Sequence, residues 1–268
     1  MRQTFKQLAG AAVLLLNFTC PARAADTVSS YPEILADDIG HVITAPARWH
    51  EREWQDLGLA TAGVLGVAAI IDRPLRDEMR RHAPNDQRFM LEVERFGAEY
   101  SLVVLGGFYL AGSMGGSDTA MAVAKDGLAA SLIASGLVTP AIKFIAGRSR
   151  PRENTGIAQF HPFSTNHTAN SSFPSGHTTQ AFALASVISG HYEDNWVKYS
   201  AYSAACLVGL ARSYHDAHFA SDILAGALIG TLVGQSVVEH NRAIRSGKIV
   251  MLPEIMPGMI GVRLVRGI

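Results

Sequence analysis

The sequence predicts an all-α protein, a helical bundle of about six core helices with a short extended C-terminal tail. Three observations carry that expectation. Apolar stretches recur at residues 57–71, 102–114, 128–145, 178–189, 199–211 and 223–238. Short alternating runs bounded by turn residues, the mark of strands, are scarce before the last twenty or so residues. In the last stretch Gly226, Gly230 and Gly234 stand four apart, on one helical face, where the absence of side chains lets a second helix approach closely.

Taken in order, the chain opens on Arg2 and Lys6, continues through an apolar run over 8–18 and reaches Ala22-Arg23-Ala24. A basic start, an apolar middle and a small-x-small site predict an export signal over residues 1–24. Phe18 and Thr19 before Cys20 do not make a lipoprotein box. Removing Arg2, Lys6 and Arg23 lowers the basic count from 23 to 20 against 23 acidic residues, so the mature chain is slightly acidic, and nucleic acid is not an expected partner. Cys206 is then the remaining cysteine. A disulfide framework is excluded, and its apolar stretch predicts a buried, inert thiol.

About 240 residues are enough for one large domain, expected over 25–247, with its chemistry in a core over 128–238. Residues 73–99 carry dense charge of both signs. That predicts a solvated amphipathic helix, with a sharper alternative in which Arg76, Arg80 and Arg81 face lipid phosphates. Residues 153–173 form a long polar loop, either a lid or a disordered connection, whose His161 and His167 are expected in solvent. Residues 248–268 hold Pro253, Pro257 and several glycines, and alternate from Ile260 to Val265, so an extended tail is expected there.

Three short clusters carry the chemistry: Lys143-x6-Arg150-Pro151, Pro174-Ser175-Gly176-His177 and Arg212-x5-His218-x3-Asp222. Together they bring cations, two imidazoles, a carboxylate and a hydroxyl, which suits holding a tetrahedral oxyanion and attacking it. Fixed cations can neutralise phosphoryl oxygens, so no metal or other cofactor is expected. On a helix His218 and Asp222 share a face, and Asp222 can accept from one ring nitrogen, leaving the other free to attack; the competing reading is that Asp222 caps the helix. Ser175 suits an N-cap, placing the N–H groups of Gly176 and His177 beside an anion. Lys143 ends its helix, where a cation also complements the helix dipole.

The three clusters, in this order and spacing, resemble the signature of the type-2 phosphatidic acid phosphatase superfamily, which embraces lipid phosphatases, class A acid phosphatases and vanadium haloperoxidases. One position departs: Ala211 stands where the pattern has serine before Arg212. The resemblance implies an all-helical hydrolase without cofactor. It implies that His218 is a nucleophile forming a phosphohistidine, that Asp222 orients it, and that His177 is the general acid and then the base. It further implies that Lys143, Arg150, Ser175, Gly176 and Arg212 hold the substrate phosphate.

The expected function is hydrolysis of a phosphate monoester or diphosphate on a lipid (phosphatidate, phosphatidylglycerophosphate, an isoprenoid diphosphate or a lipid A phosphate) in a bacterial envelope. A soluble periplasmic acid phosphatase acting on small phosphate esters is the alternative. A vanadate-dependent haloperoxidase or a silent homologue are further ones. Membrane association, at the inner membrane with a periplasm-facing site, is expected because the apolar stretches are numerous and the resemblance implies a lipid substrate; a soluble periplasmic enzyme is the alternative. Most stretches fall short of the ~20 apolar residues of a span. Six spans after signal cleavage would put residues 150–177 on the inner side, whereas an exported lipid phosphatase needs them on the periplasmic side. Either one stretch does not cross or the bundle sits in the periplasm and touches the membrane at an edge.

Overall fold

The structure, a computed structural model, describes residues 30–82, 88–246, 249–256 and 259–266. The expected signal peptide, 1–24, lies outside the described residues. The chain divides into two units at Asp37–Asp38; of the first only the opening of helix α1 is described, and the second, 38–268, carries the bundle.

Ten α-helices are present among the described residues: α1 (Tyr31–Thr44), α2 (Glu51–Ile70), α3 (Asp72–His82), α4 (Arg88–Glu94), α5 (Glu99–Ser113), α6 (Asp118–Ser131), α7 (Thr139–Ala146), α8 (Gly176–His191), α9 (Asn195–Tyr214) and α10 (Ala220–Arg245). The all-α expectation holds, with more helices than apolar stretches because charged segments also coil. The described helical residues of 73–99, for example, fall into α3, α4, the 3₁₀ turn Arg95–Gly97 and the first residue of α5. The tail is an antiparallel pair, β1 (Ile249–Met256) and β2 (Met259–Arg266), in the register Ile249 to Arg266 through Met256 to Met259. Two strands leave every strand an edge, which is where Pro253 is tolerated.

α6 and α7 are joined by a π-helical segment, Leu132–Val138. Pro140, at the start of α7, has no N–H to donate to the preceding turn, and a widened turn upstream absorbs the mismatch. Gly147 then stops α7 in the left-handed region, φ 59°, where a Cβ would stand 1.7 Å from the His161 carbonyl oxygen. That contact folds the loop after α7 back onto its end.

α8 is the centre of the bundle, packed by α10, α9 and α6. Its buried face is small: Ala181, Ala183, Ala185 and Val187. The three spaced glycines of α10 meet it at backbone distance. A Cβ on Gly226 would lie 2.6 Å from the Ser175 carbonyl oxygen, on Gly230 2.3 Å from that of Thr179, and on Gly234 2.8 Å from that of Ala183. Those obstacles are backbone, so Gly230→Ala must push two central helices apart. It should lower the unfolding free energy by about 1–3 kcal/mol or more, read as a fall in the melting midpoint in detergent. An unchanged midpoint would show that the α8–α10 seam is loose.

Large apolar side chains lie outside as well as inside. Leu59, Leu65 and Ile70 on α2, Val103 on α5 and Met114 just after it, and Trp196 and Tyr199 on α9 are all at least 64% exposed, more apolar surface than a water-facing bundle presents. Two helical runs, Asp118–Ala146 of 29 residues and Ala220–Arg245 of 26, are long and apolar enough to cross a membrane. α2 and the start of α3 pass together, bent by 50°. Cys206 lies on this outer surface. The expected buried thiol is corrected: α9 turns Ala205, Val208, Gly209 and Arg212 inward, and Cys206 falls on the other face.

Candidate active site

The long loop between α7 and α8 is neither a lid nor a disordered connection. Backbone bonds pin it at Ser149 N to Gln159 O (2.9 Å), His161 N to Gly147 O (2.8 Å), Arg150 N to Ala169 O (2.9 Å) and Ser172 N to Arg148 O (2.9 Å). His161 and His167 are exposed, as the sequence suggested. The loop delivers Ser171 and Ser172 beneath the three clusters, which converge at one end of the bundle. Lys143 is in the last turn of α7, Arg150 just beyond it, His177 in the first turn of α8, Arg212 near the end of α9, and His218 and Asp222 at the start of α10.

His218 is 3% exposed. Its Nδ1 is 2.7 Å from the carbonyl oxygen of Ser172 and 3.9 Å from Oδ2 of Asp222. The direct hydrogen bond expected from Asp222 is therefore replaced by a backbone carbonyl. A carbonyl only accepts, so Nδ1 carries the proton and Nε2 keeps its lone pair. Burial, then the charges of Lys143, Arg150, Arg212 and His177, hold the imidazole pKa well below its usual value, so it is neutral at physiological pH.

Asp222 acts one step behind. Oδ2 accepts from the Ser172 hydroxyl at 2.5 Å and from the Phe219 N–H at 2.9 Å, and Oδ1 accepts from Arg148 Nη1 at 2.6 Å. The capping reading is what the carboxylate shows directly, at the Phe219 N–H; towards His218 it acts only through Ser172, whose hydroxyl it accepts from and whose carbonyl holds the ring. Arg148 was legible in sequence only as one more cation after a helix. It is buried, donates from Nη2 to Asp72 at 2.8 Å, and lies 4.3 Å over the Phe219 ring. Asp72 in turn accepts from the Ser221 N–H at 2.8 Å and its hydroxyl at 2.7 Å. Neither Asp72, from α3, nor Ser172 had any sequence signal, because each pairs with groups far along the chain.

Lys143 Nζ donates to the Ser171 carbonyl, and Arg150 Nη2 to the Ser171 hydroxyl at 3.0 Å. Arg212 Nη1 donates to Glu94, whose Oε2 is also 2.7 Å from His215 Nδ1. The Nε atoms of Arg150 and Arg212 are buried without a hydrogen-bond partner among the described residues. Ser175 occupies the N-cap position of α8, yet its hydroxyl makes no bond to a helix N–H, because it accepts from the Thr178 hydroxyl at 2.9 Å. The expected side-chain cap is corrected in that respect. His177 is held near pH 4 by burial and by Arg212, with Glu94 opposing the shift and Lys143 and Arg150 adding to it.

The cations of α3 have partners within the chain. Arg80, although exposed, bonds to Asp216 (2.6 Å), Asn154 (2.7 Å) and the Pro151 carbonyl (2.7 Å), while Arg76 pairs with Asp77 and Arg81 with Glu78.

With this geometry in view, residues 127–243 match the model of the PAP2 superfamily. The lipid A 1-phosphatase of Porphyromonas gingivalis is 38% identical over 84 residues, covering 31% of this chain and 19% of that protein. Lipid phosphate phosphatase 1 of Arabidopsis thaliana is 31% identical over 134 residues, covering 40% of this chain and 41% of that protein. The chain thus spans well under half the length of these relatives. The crystal structure of Aquifex aeolicus LpxE superposes with a TM-score of 0.50 at 23% identity, over 63% of this chain and 95% of that one, a likeness of fold. The matched segment, under half of the chain, contains all three clusters, and over it the chain resembles the PAP2 superfamily.

Proposed function

We propose that this protein is a phosphatase that removes phosphate from a lipid at a membrane surface, through a phosphohistidine on His218. The observation that carries the proposal is the level of the site. Lys143 ends one candidate span and Asp222 begins the other, so the cations gather at one mouth of the bundle, where a lipid's phosphate would lie while its acyl chains stay with the exposed apolar side chains. The lipid phosphatases among the relatives support the substrate class. The apolar exterior favours this reading over a soluble acid phosphatase. With the export signal expected at 1–24, a periplasm-facing mouth requires the bent pair of α2 and α3 to cross as well as the two longer runs.

In the mechanism, Arg150, Arg212 and Lys143 hold the equatorial oxygens, the two unpartnered arginine Nε–H groups being suited to donate to them. The Nε2 lone pair of His218 attacks phosphorus as the bond to the leaving oxygen breaks, and His177 gives that oxygen its proton. His177 then takes a proton from water, which attacks the phosphohistidine, breaks the P–N bond, releases phosphate and leaves His177 protonated for the next turnover.

Leaving-group dependence tests this division of labour. In detergent micelles with excess EDTA, the wild type should hydrolyse phosphatidate and an activated aryl phosphate, and vanadate should inhibit both. His177→Ala should lose roughly 10²–10⁴-fold on the alkyl ester and distinctly less on the aryl one, whose leaving group needs little help. A requirement for added divalent metal, or equal loss on both substrates, would overturn the assignment.

A further inference from the structure

On the reading just given, we infer that Glu94 is a positioning residue of this site: it holds Arg212 in the phosphate cradle, and its negative charge sets how readily His177 carries the proton for the leaving group. Glu94 ends α4, outside the segment that matches the family model. One carboxylate oxygen, Oε2, takes both Arg212 Nη1 and His215 Nδ1, the latter at 2.7 Å. Engaged through Nη1, Arg212 is fixed at one corner of its fork while Nε remains buried and unpartnered. His215, on the turn between Arg212 and His218, has its own Nε2 buried without a partner, so Glu94 is the group that orients that ring.

The next residues bring Glu94 to His177. The turn Arg95–Gly97 lies against the first turn of α8 so closely that a Cβ on Gly97 would stand 2.5 Å from the His177 carbonyl oxygen. Of the groups facing His177, Arg212 on α9, Lys143 on α7 and Arg150 on the loop disfavour an imidazolium, and Glu94 on α4 favours it. Of those facing Glu94, burial raises its pKa, but Arg212, His215 and His177 outweigh burial and leave it lowered, so the carboxylate is ionised at neutral pH. A cradle of cations binds a dianion well but makes a poor home for a protonated general acid. One carboxylate behind Arg212 offsets that conflict, at some cost in phosphate affinity.

The test is Glu94→Gln, which keeps the shape and an acceptor for Arg212 but removes the charge. With the full-length enzyme in micelles, kcat on phosphatidate should fall about tenfold or more, and kcat on the aryl phosphate should change little. The alkaline limb of the phosphatidate profile should move to lower pH, because His177 loses its proton sooner. Inorganic phosphate should inhibit more tightly. Glu94→Asp, which keeps the charge on a shorter arm, should retain the limb and instead raise KM by loosening Arg212. If Glu94→Gln leaves the alkaline limb in place and affects both substrates alike, Glu94 is only an anchor of α4 and the inference fails. If Glu94→Gln does not fold, loss of the limb in Glu94→Asp overturns it. Wild-type turnover and the loss in His177→Ala stand or fall separately, so a failure here is distinguishable from a failure of the phosphatase reading.

Discussion

His218→Ala is expected to abolish turnover on every substrate, by at least about a thousandfold, while the bundle stays folded. The geometry gives the reason. The Ser172 carbonyl, 2.7 Å from Nδ1, fixes the proton on that nitrogen, so Nε2 is the attacking atom. Its depressed pKa keeps the lone pair available well into the acid range, so nucleophile protonation should not limit the rate near neutrality. Loss of the attacking atom cannot be offset by an easier leaving group, so alkyl and aryl phosphates should suffer alike, unlike in His177→Ala. The replacement also strips the Ser172 carbonyl of a donor. His218→Asn, which can still donate there, is the better-folded control and should be equally inactive. Single-turnover samples quenched with base should carry acid-labile phosphate in the wild type and none in either variant. Near-normal rates in a folded His218→Asn protein would falsify the assignment.

Arg148→Ala should have the largest effect on stability, about 3–5 kcal/mol. Arg148 is 3% exposed and stands between Asp72 and Asp222, whose side chains are wholly buried, at 2.8 and 2.6 Å. Its removal leaves two buried carboxylates without the ion pair they share and takes away the donor that fixes Asp222. Asp72→Asn should be much milder, since it leaves Arg148 paired one to one with Asp222. Arg148→Lys should stay poor, because an ammonium cannot serve Asp72, Asp222 and Ser221 in one plane. Denaturant melts of the three variants should therefore order as Arg148→Ala, Arg148→Lys, Asp72→Asn, from least to most stable. An Asp72→Asn protein as unstable as Arg148→Ala would show that the cluster is held by something other than charge balance. The same ordering is expected in activity, because Asp222 holds Ser172 and Ser172 holds His218.

The two cases mark where local pattern stops informing. His218 and Asp222 are four residues apart, and helical periodicity alone makes them neighbours. It does not say whether the gap between them is closed: at 3.9 Å it is not, and a serine fifty residues earlier in the chain takes up the bond. The glycine ladder of α10 was legible for the same reason as the pair, since spacing of four on a helix is a face whatever lies opposite. What lies opposite, the backbone of α8, was not.

By itself the sequence determined the helical class, the order and chemistry of the three clusters and the close-packing face of α10, because each follows from the period of one helix or the identity of residues within a few turns. Only the tertiary structure decided that Arg148 belongs to the site, that Ser172 and not Asp222 holds His218, that Asp72 meets Ser221 and that Glu94 stands behind Arg212. Those outcomes depend on which of several polar partners wins once burial removes water. That competition is settled between residues about 50 to 150 positions apart, where no periodicity reaches.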